Sequence, residues 1–140
     1  MKKTICILLS VYSILTYSCK KDKKETASII GKWYWVEQTY DDYTNDKLTD
    51  HRDYTTTLDP LSYFEFKVDG TFIENPQDRN GLFEYGKYQI AGDSLFVKRD
   101  IDQKATRYAI KKITSSSLVI HFSGSSSIYR GEVEYTMKRQ

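Results

Sequence analysis

The sequence SYFEFKVDGTFIE, residues 62–74, shows the repeating unit from which this 140-residue chain is built. Phe64 and Phe66 alternate with Tyr63 and Glu65. A two-residue period of this kind is typical of a β-strand with one buried face. The segment therefore predicts a strand, and its continuation predicts the partner with which that strand pairs.

The reversal at Asp69-Gly70 is the strongest hairpin signal in the chain, because Asp-Gly favours tight turns between antiparallel strands. Two registers are open. A two-residue turn would place Phe66 opposite Ile73, whereas a three-residue bulged turn would place Phe66 opposite Phe72.

Similar short runs rich in Tyr, Phe, Val and Ile extend from this hairpin in both directions, and no helical period of useful length appears after residue 29. The predicted strands span residues 30–39, 62–68, 71–74, 82–90, 95–99, 106–113, 118–122 and 128–138. Gly86 and Gly131 fall inside strands, where a curved sheet takes a bend or a bulge. The pattern predicts an all-β, eight-stranded antiparallel up-and-down barrel, whose closure removes exposed edges.

The polar segment from Tyr40 to Pro60 interrupts this pattern and is rich in Asp, Thr and Asn. It is long for a connection inside a compact domain, so we expect either a functional loop or a locally mobile one.

The size and composition of the chain limit its architecture. A chain of 140 residues with 14% aromatic residues and only 2 Pro holds one packed domain and no multidomain enzyme. Residues 26–140 carry 15 basic and 17 acidic side chains, a balance that gives no indication of nucleic-acid binding.

The N-terminal residues 1–18 have the layout of a secretory signal peptide. Lys2-Lys3 precedes an apolar run from Ile5 to Leu15, which is shorter than the roughly 20 residues of a membrane span. Cys6 would be removed with this segment, so the mature chain would form no intramolecular disulfide.

Cys19 directly follows the small Ser18 and resembles the acylated cysteine of a bacterial lipobox. The resemblance implies a lipid anchor at Cys19 in the bacterial cell envelope, at the outer membrane. The alternative is ordinary cleavage that leaves a free extracellular thiol, which is unusual in a secreted protein. We therefore divide the chain into a signal peptide at residues 1–18, an acylated and basic tether at residues 19–28, and a domain at residues 29–140.

The order and spacing of several short motifs resemble the lipocalin-like domain of Bacteroidota lipoproteins. These motifs are Gly31-x-Trp33, Phe64-x-Phe66-x-x-Asp69-Gly70-Thr71-Phe72, Gly86-x-Tyr88, Asp93-Ser94-Leu95, Tyr108-x-Ile110-x-x-Ile113, Leu118-Val119-Ile120 and Tyr135-x-x-Lys138-Arg139. The resemblance implies a lipocalin-like barrel on a lipid tether, with a basic residue, Arg139 or Lys138, packed across Trp33. The Thr-Asp-Tyr loop motif of true lipocalins is absent.

Catalytic and metal-binding patterns are not evident in the sequence. Neither His51 nor His121 has a second ligand at metal spacing, and the serine runs lack a nucleophile elbow. The Asp-rich segment around His51 lacks the alternation and central Gly of a calcium loop. We expect no enzyme activity, no cofactor and no metal.

A ligand pocket inside the barrel is the remaining candidate site. Eight-stranded barrels are filled by their own side chains or hold one small ligand. The predicted inward residues are Trp33, Trp35, Phe64, Phe66, Tyr85, Leu95, Val97, Tyr108, Ile110, Leu118, Ile120, Val133, Tyr135 and Met137. Their bulk favours a mostly filled interior with a shallow mouth.

The candidate ligand-binding residues are aromatic: Trp35, Tyr40, Tyr43, Tyr54, Tyr85 and Tyr108. They predict a small hydrophobic or aromatic ligand. The alternative is a filled barrel whose loops bind another envelope protein, as an interaction or inhibitor module.

Overall fold

The computed structural model describes residues 27–54, 61–75 and 82–139, and this part of the chain consists of nine β-strands. They are β1 (Gly31–Thr44), β2 (Lys47–Asp53), β3 (Tyr63–Phe66), β4 (Thr71–Asn75), β5 (Glu84–Ala91), β6 (Ser94–Arg99), β7 (Thr106–Ile113), β8 (Ser117–Ser125) and β9 (Tyr129–Lys138). The described ranges contain no helix long and apolar enough to cross a membrane. The predicted signal peptide and Cys19 lie outside the described residues.

Eight of these strands close into an antiparallel barrel, as the sequence predicts. From β3 to β9 each strand pairs with the next along the chain, and β1 joins β3 to β9. A bulge between Trp35 and Glu37 shifts the register of β1 against β9. Because of this bulge, Gln38 and Tyr40 follow Trp35 on the inward face of β1, and Glu37 faces outward.

The prediction of a loop after Tyr40 is wrong for the described part of that segment. β1 continues to Thr44, and β2 pairs back onto it through a two-residue turn at Asn45 and Asp46. Both turn residues have positive φ, 50° and 60°, as a type I′ hairpin requires. All seven residues of β2 are exposed, so this strand has no buried face that a hydrophobic period could reveal.

The hairpin between β3 and β4 adopts the second of the two registers left open by the sequence. Phe66 lies opposite Phe72, and the amide of Lys67 donates to the carbonyl of Thr71 at 2.9 Å. Gly70 has φ of 81°, a conformation that side-chain-bearing residues rarely adopt. The Asp69 carboxylate accepts hydrogen bonds from both the amide and the hydroxyl of Thr71.

One end of the barrel is filled by side chains around Trp33, which is fully buried. The indole of Trp33 donates to the Ile29 carbonyl at 2.6 Å, and the Arg139 guanidinium lies 4.3 Å from the ring centroid. Arg139, rather than Lys138, therefore occupies the position across Trp33. Its Nη2 also donates to the carbonyls of Ser28 and Ile30. We call this the closed end of the barrel.

Candidate functional site

A cavity of about 840 Å³ occupies the opposite half of the barrel and opens beside the β1–β2 and β8–β9 connections. We call this opening the mouth. Six aromatic side chains line the cavity: Trp35, Tyr40, Tyr54, Phe122, Tyr129 and Tyr135. Charged groups line it as well: Asp42, Arg52, Glu74, Glu84, Arg99 and Glu132.

The aromatic lining is held in place by ring contacts within the barrel. The ring of Trp35 lies 5.5 Å from that of Phe64 and 5.4 Å from that of Tyr135. Tyr40 meets Tyr54 edge-to-face at 5.4 Å, and Gln38 donates to the Tyr40 hydroxyl at 2.6 Å. These contacts fix a preformed apolar surface, which lowers the ordering cost of binding a flat ligand.

An ion cluster at Arg99 supplies the polar part of the cavity. Its guanidinium contacts Glu74 at 2.8 Å and Glu84 at 2.5 Å, so that neighbouring strands β4, β5 and β6 each contribute one charge. Glu74 is only 4% exposed. Burial is the largest single effect and would lower the pKa of Arg99, but Glu74, Tyr108 and Glu84 together outweigh it and raise the pKa above its ordinary value. Arg99 therefore remains charged.

Two buried tyrosines next to this cluster keep their hydroxyl protons at neutral pH. Burial raises the pKa of Tyr135, and the nearby Tyr40 and Tyr108 raise it further. Burial also raises the pKa of Tyr108, against the opposing effect of Arg99. The cavity thus offers neutral phenols and aromatic faces, with an ion cluster that can orient the polar end of a ligand.

Both histidines lie outside the set of residues that lines this cavity. His51 is on β2, where its Nδ1 lies 2.6 Å from Asp41, and this hydrogen bond raises the pKa of His51. His121 lies 3.5 Å from Glu132. Within residues 27–54, 61–75 and 82–139, no three His, Cys, Asp or Glu side chains are grouped so that they could hold a metal ion.

The structure brings only some of the predicted ligand-binding aromatics together. Trp35, Tyr40 and Tyr54 line the cavity. Tyr108 is buried beside it, with its ring 6.0 Å from that of Phe122. Tyr43 is absent from the cavity lining and stacks under Arg130 at 4.2 Å.

The inward placement of Tyr85 is wrong, since this side chain is 54% exposed. Its neighbours Glu84 and Gly86 take the inward positions, because Gly86 pairs with Phe72 and Glu84 reaches Arg99. A charged residue and a glycine are both typical of the outward face of a strand. For this reason the sequence pattern favoured Tyr85 as the inward residue. The two-residue period from Phe72 and from Val97 does point to Glu74 and Arg99, which the sequence analysis missed.

Comparisons with known proteins agree with this architecture. The family model of the lipocalin-like domain matches residues 29–120. An uncharacterized protein from Bacteroides eggerthii DSM 20697 has a similar structure, with 13% identity, a TM-score of 0.50, and coverage of 81% of this chain and 100% of that chain. Lobster apocrustacyanin A1 matches with 14% identity and a TM-score of 0.55 over 79% of this chain and 60% of its own.

A lipocalin-like protein from Bacteroides uniformis ATCC 8492 is 12% identical, with a TM-score of 0.49 over 79% of this chain and 97% of that chain. No curated protein sequence matches the chain. At these identities, the likeness to solved structures concerns the fold and not the ligand.

Proposed function

The chain belongs to the family of lipocalin-like domains, and from this we propose that it is a non-catalytic, lipid-anchored protein of the bacterial outer membrane that binds a small apolar or aromatic ligand. The observation that carries the proposal is the open cavity of about 840 Å³ with its aromatic lining. An eight-stranded barrel filled by its own side chains would leave no such space. Ligand pockets commonly measure roughly 300–1,000 Å³.

The cavity favours a ligand with a flat apolar body and one polar end. The rings of Trp35, Tyr40 and Tyr135 would contact the body. Because Arg99 and Glu74 lie within the same cavity, a polar group that reaches them would be oriented by charge-assisted hydrogen bonds.

Filling the cavity tests this proposal. Val133 lines the cavity, so we expect Val133→Trp to weaken binding of the neutral probe N-phenyl-1-naphthylamine by about tenfold or more, a loss of about 1.4 kcal/mol. Probe fluorescence titration measures the affinity. The matched control is Thr136→Trp on the same strand, since Thr136 is paired with the outward Glu37 and is absent from the cavity lining.

Equal affinity of Val133→Trp and Thr136→Trp for the probe would contradict binding in the cavity. Native mass spectrometry after incubation with a lipid extract gives a second measurement. We expect a retained small molecule on the unmodified chain and none on Val133→Trp. A consistently empty unmodified chain would count against ligand binding.

The anchor is tested at Cys19, which lies outside the described residues. We expect Cys19→Ala to move the protein from the membrane fraction to the soluble fraction, because alanine has no thiol to form the thioether bond to a diacylglyceryl group. Cys6→Ala is the matched control, and we expect it to leave the protein in the membrane fraction. Membrane retention of Cys19→Ala would contradict lipid anchoring.

A second candidate function is binding of another envelope protein by the β1–β2 arm. Every residue of β2 is exposed, and this strand lies at the end of the sheet order with β1 as its partner. Such an edge can pair with a strand of another chain. The charged side chains Lys47, Asp50 and Arg52 oppose this pairing, as charges on edge strands generally do. For this reason we place ligand binding first.

A further inference from the structure

We propose that the closed end of the barrel is a second membrane contact, which rests on an anionic lipid surface while the mouth faces away from it. This inference rests on the proposed anchor at Cys19. Its basis is a surface groove whose lining, exposure and charge fit a lipid headgroup layer.

The groove has a volume of about 690 Å³ and is mainly apolar. Its lining includes Ile30, Val68 and Ile90, which are 43%, 85% and 40% exposed. Ile110 and Ile113 continue the apolar lining. Three exposed aliphatic side chains around one groove form a patch of the kind that marks an interaction site.

The groove lies where the chain enters the barrel, since Ala27, Ser28 and Ile29 form part of it. Cys19 and Ala27 are separated by eight peptide units, which span at most about 28 Å when fully extended. A lipid on Cys19 would therefore keep this end of the barrel within about 28 Å of the bilayer.

The charges around the groove also match an anionic surface. Lys67, Lys111, Lys112 and Lys138 are exposed at this end, against Asp69 and Asp93. Basic side chains near anionic lipid headgroups are each attracted to the surface, within roughly 10 Å at 0.1 M salt. The cavity at the mouth has an acidic excess instead, since its lining carries four acidic side chains against two basic ones: Asp42, Glu74, Glu84 and Glu132 against Arg52 and Arg99.

Other occupants of the groove fit these observations less well. Residues 19–26, CKKDKKET, are almost entirely charged or polar and have no apolar side chain to fill an aliphatic groove. A second copy that met this end symmetrically would bring the lysines of both copies together, and like charges repel.

Vesicle binding by the unanchored protein tests the proposal. The chain from residue 19 with Cys19→Ser is mixed with vesicles of phosphatidylglycerol and phosphatidylcholine at a 3:7 ratio, and the bound fraction is measured by co-sedimentation. We expect binding to these vesicles and none to phosphatidylcholine alone. Val68→Asp and Lys112→Glu should each reduce the partition coefficient by about tenfold.

Matched substitutions at the mouth are the controls. Leu48 is 55% exposed on β2, and Lys47 is exposed beside it. We expect Leu48→Asp and Lys47→Glu to change the partition coefficient less than twofold. Unchanged circular dichroism and unchanged binding of N-phenyl-1-naphthylamine in all four variants show that the barrel and its cavity are intact.

Three results would overturn the inference: no binding to anionic vesicles, equal losses at the two ends, or Val68-dependent self-association without vesicles. The last would assign the groove to a second copy. Because the assayed chain lacks Cys19 and the cavity is measured separately, failure here is distinguishable from failure of the anchor or of ligand binding.

Discussion

Trp33→Ala is expected to lower the free energy of unfolding by about 3 to 5 kcal/mol, because it removes a large side chain that is fully buried at the closed end. The substitution also removes the donor to the Ile29 carbonyl and the ring over which Arg139 lies. Urea unfolding followed by far-UV circular dichroism measures the change.

Tyr85→Ala is the control for this measurement, since Tyr85 is 54% exposed and its truncation should change stability by less than about 0.5 kcal/mol. If Trp33→Ala fails to fold, Trp33→Phe provides a smaller step in the same direction. A stability of Trp33→Ala equal to that of Tyr85→Ala would show that Trp33 does not support the closed end.

Gly86→Ala is expected to destabilise the barrel by about 3 kcal/mol or more, because the added methyl group has no space. A Cβ at this position would lie 2.2 Å from the backbone carbonyl oxygen of Lys98 and 2.6 Å from the ring of Phe72. The backbone of Lys98 belongs to the paired strand β6 and cannot move away without breaking the sheet. The same urea experiment measures the loss.

Gly92→Ala is the control for this steric effect, because it replaces a glycine at a position where the added methyl group meets no other atom. Gly92 lies in a turn with φ of 61° and has no atom within 4 Å of the added Cβ. Its substitution should cost only about 1 to 2 kcal/mol, the penalty of the left-handed conformation. A loss at Gly86 no larger than that at Gly92 would contradict close strand packing at this position.

The barrel was predictable because most of its strands bury one face. Phe64, Phe66 and Phe72 alternate with half-buried neighbours, and this period determines both the strand and the face that it buries. The register of the β3–β4 hairpin could not be predicted from the sequence, because Asp69-Gly70 is compatible with two turn lengths. Gly86 shows a similar limit: its register to both neighbours is regular, so it serves close packing and not the bulge that a strand glycine suggests.

The cavity was less predictable than the barrel, because its polar residues break the rule that inward residues are apolar. Glu74, Glu84 and Arg99 can face inward because the Arg99 guanidinium pairs with both carboxylates. By residue type each is typical of a solvent-facing position, and only the strand period from Phe72 and Val97 indicates that Glu74 and Arg99 face inward. β2 was missed for the opposite reason: it buries no face, and its only local signal was the turn at Asn45 and Asp46.

The pairing of β1 with β9 has a consequence for the order in which the chain can fold. Tyr34 lies opposite Lys138, so the seam of the cylinder joins residues from the two ends of the domain. Contacts of such long sequence separation form slowly, since a large loop must first be closed. A nascent chain that lacks β9 would leave one side of β1 without its neighbour, and such an open edge favours pairing with other chains.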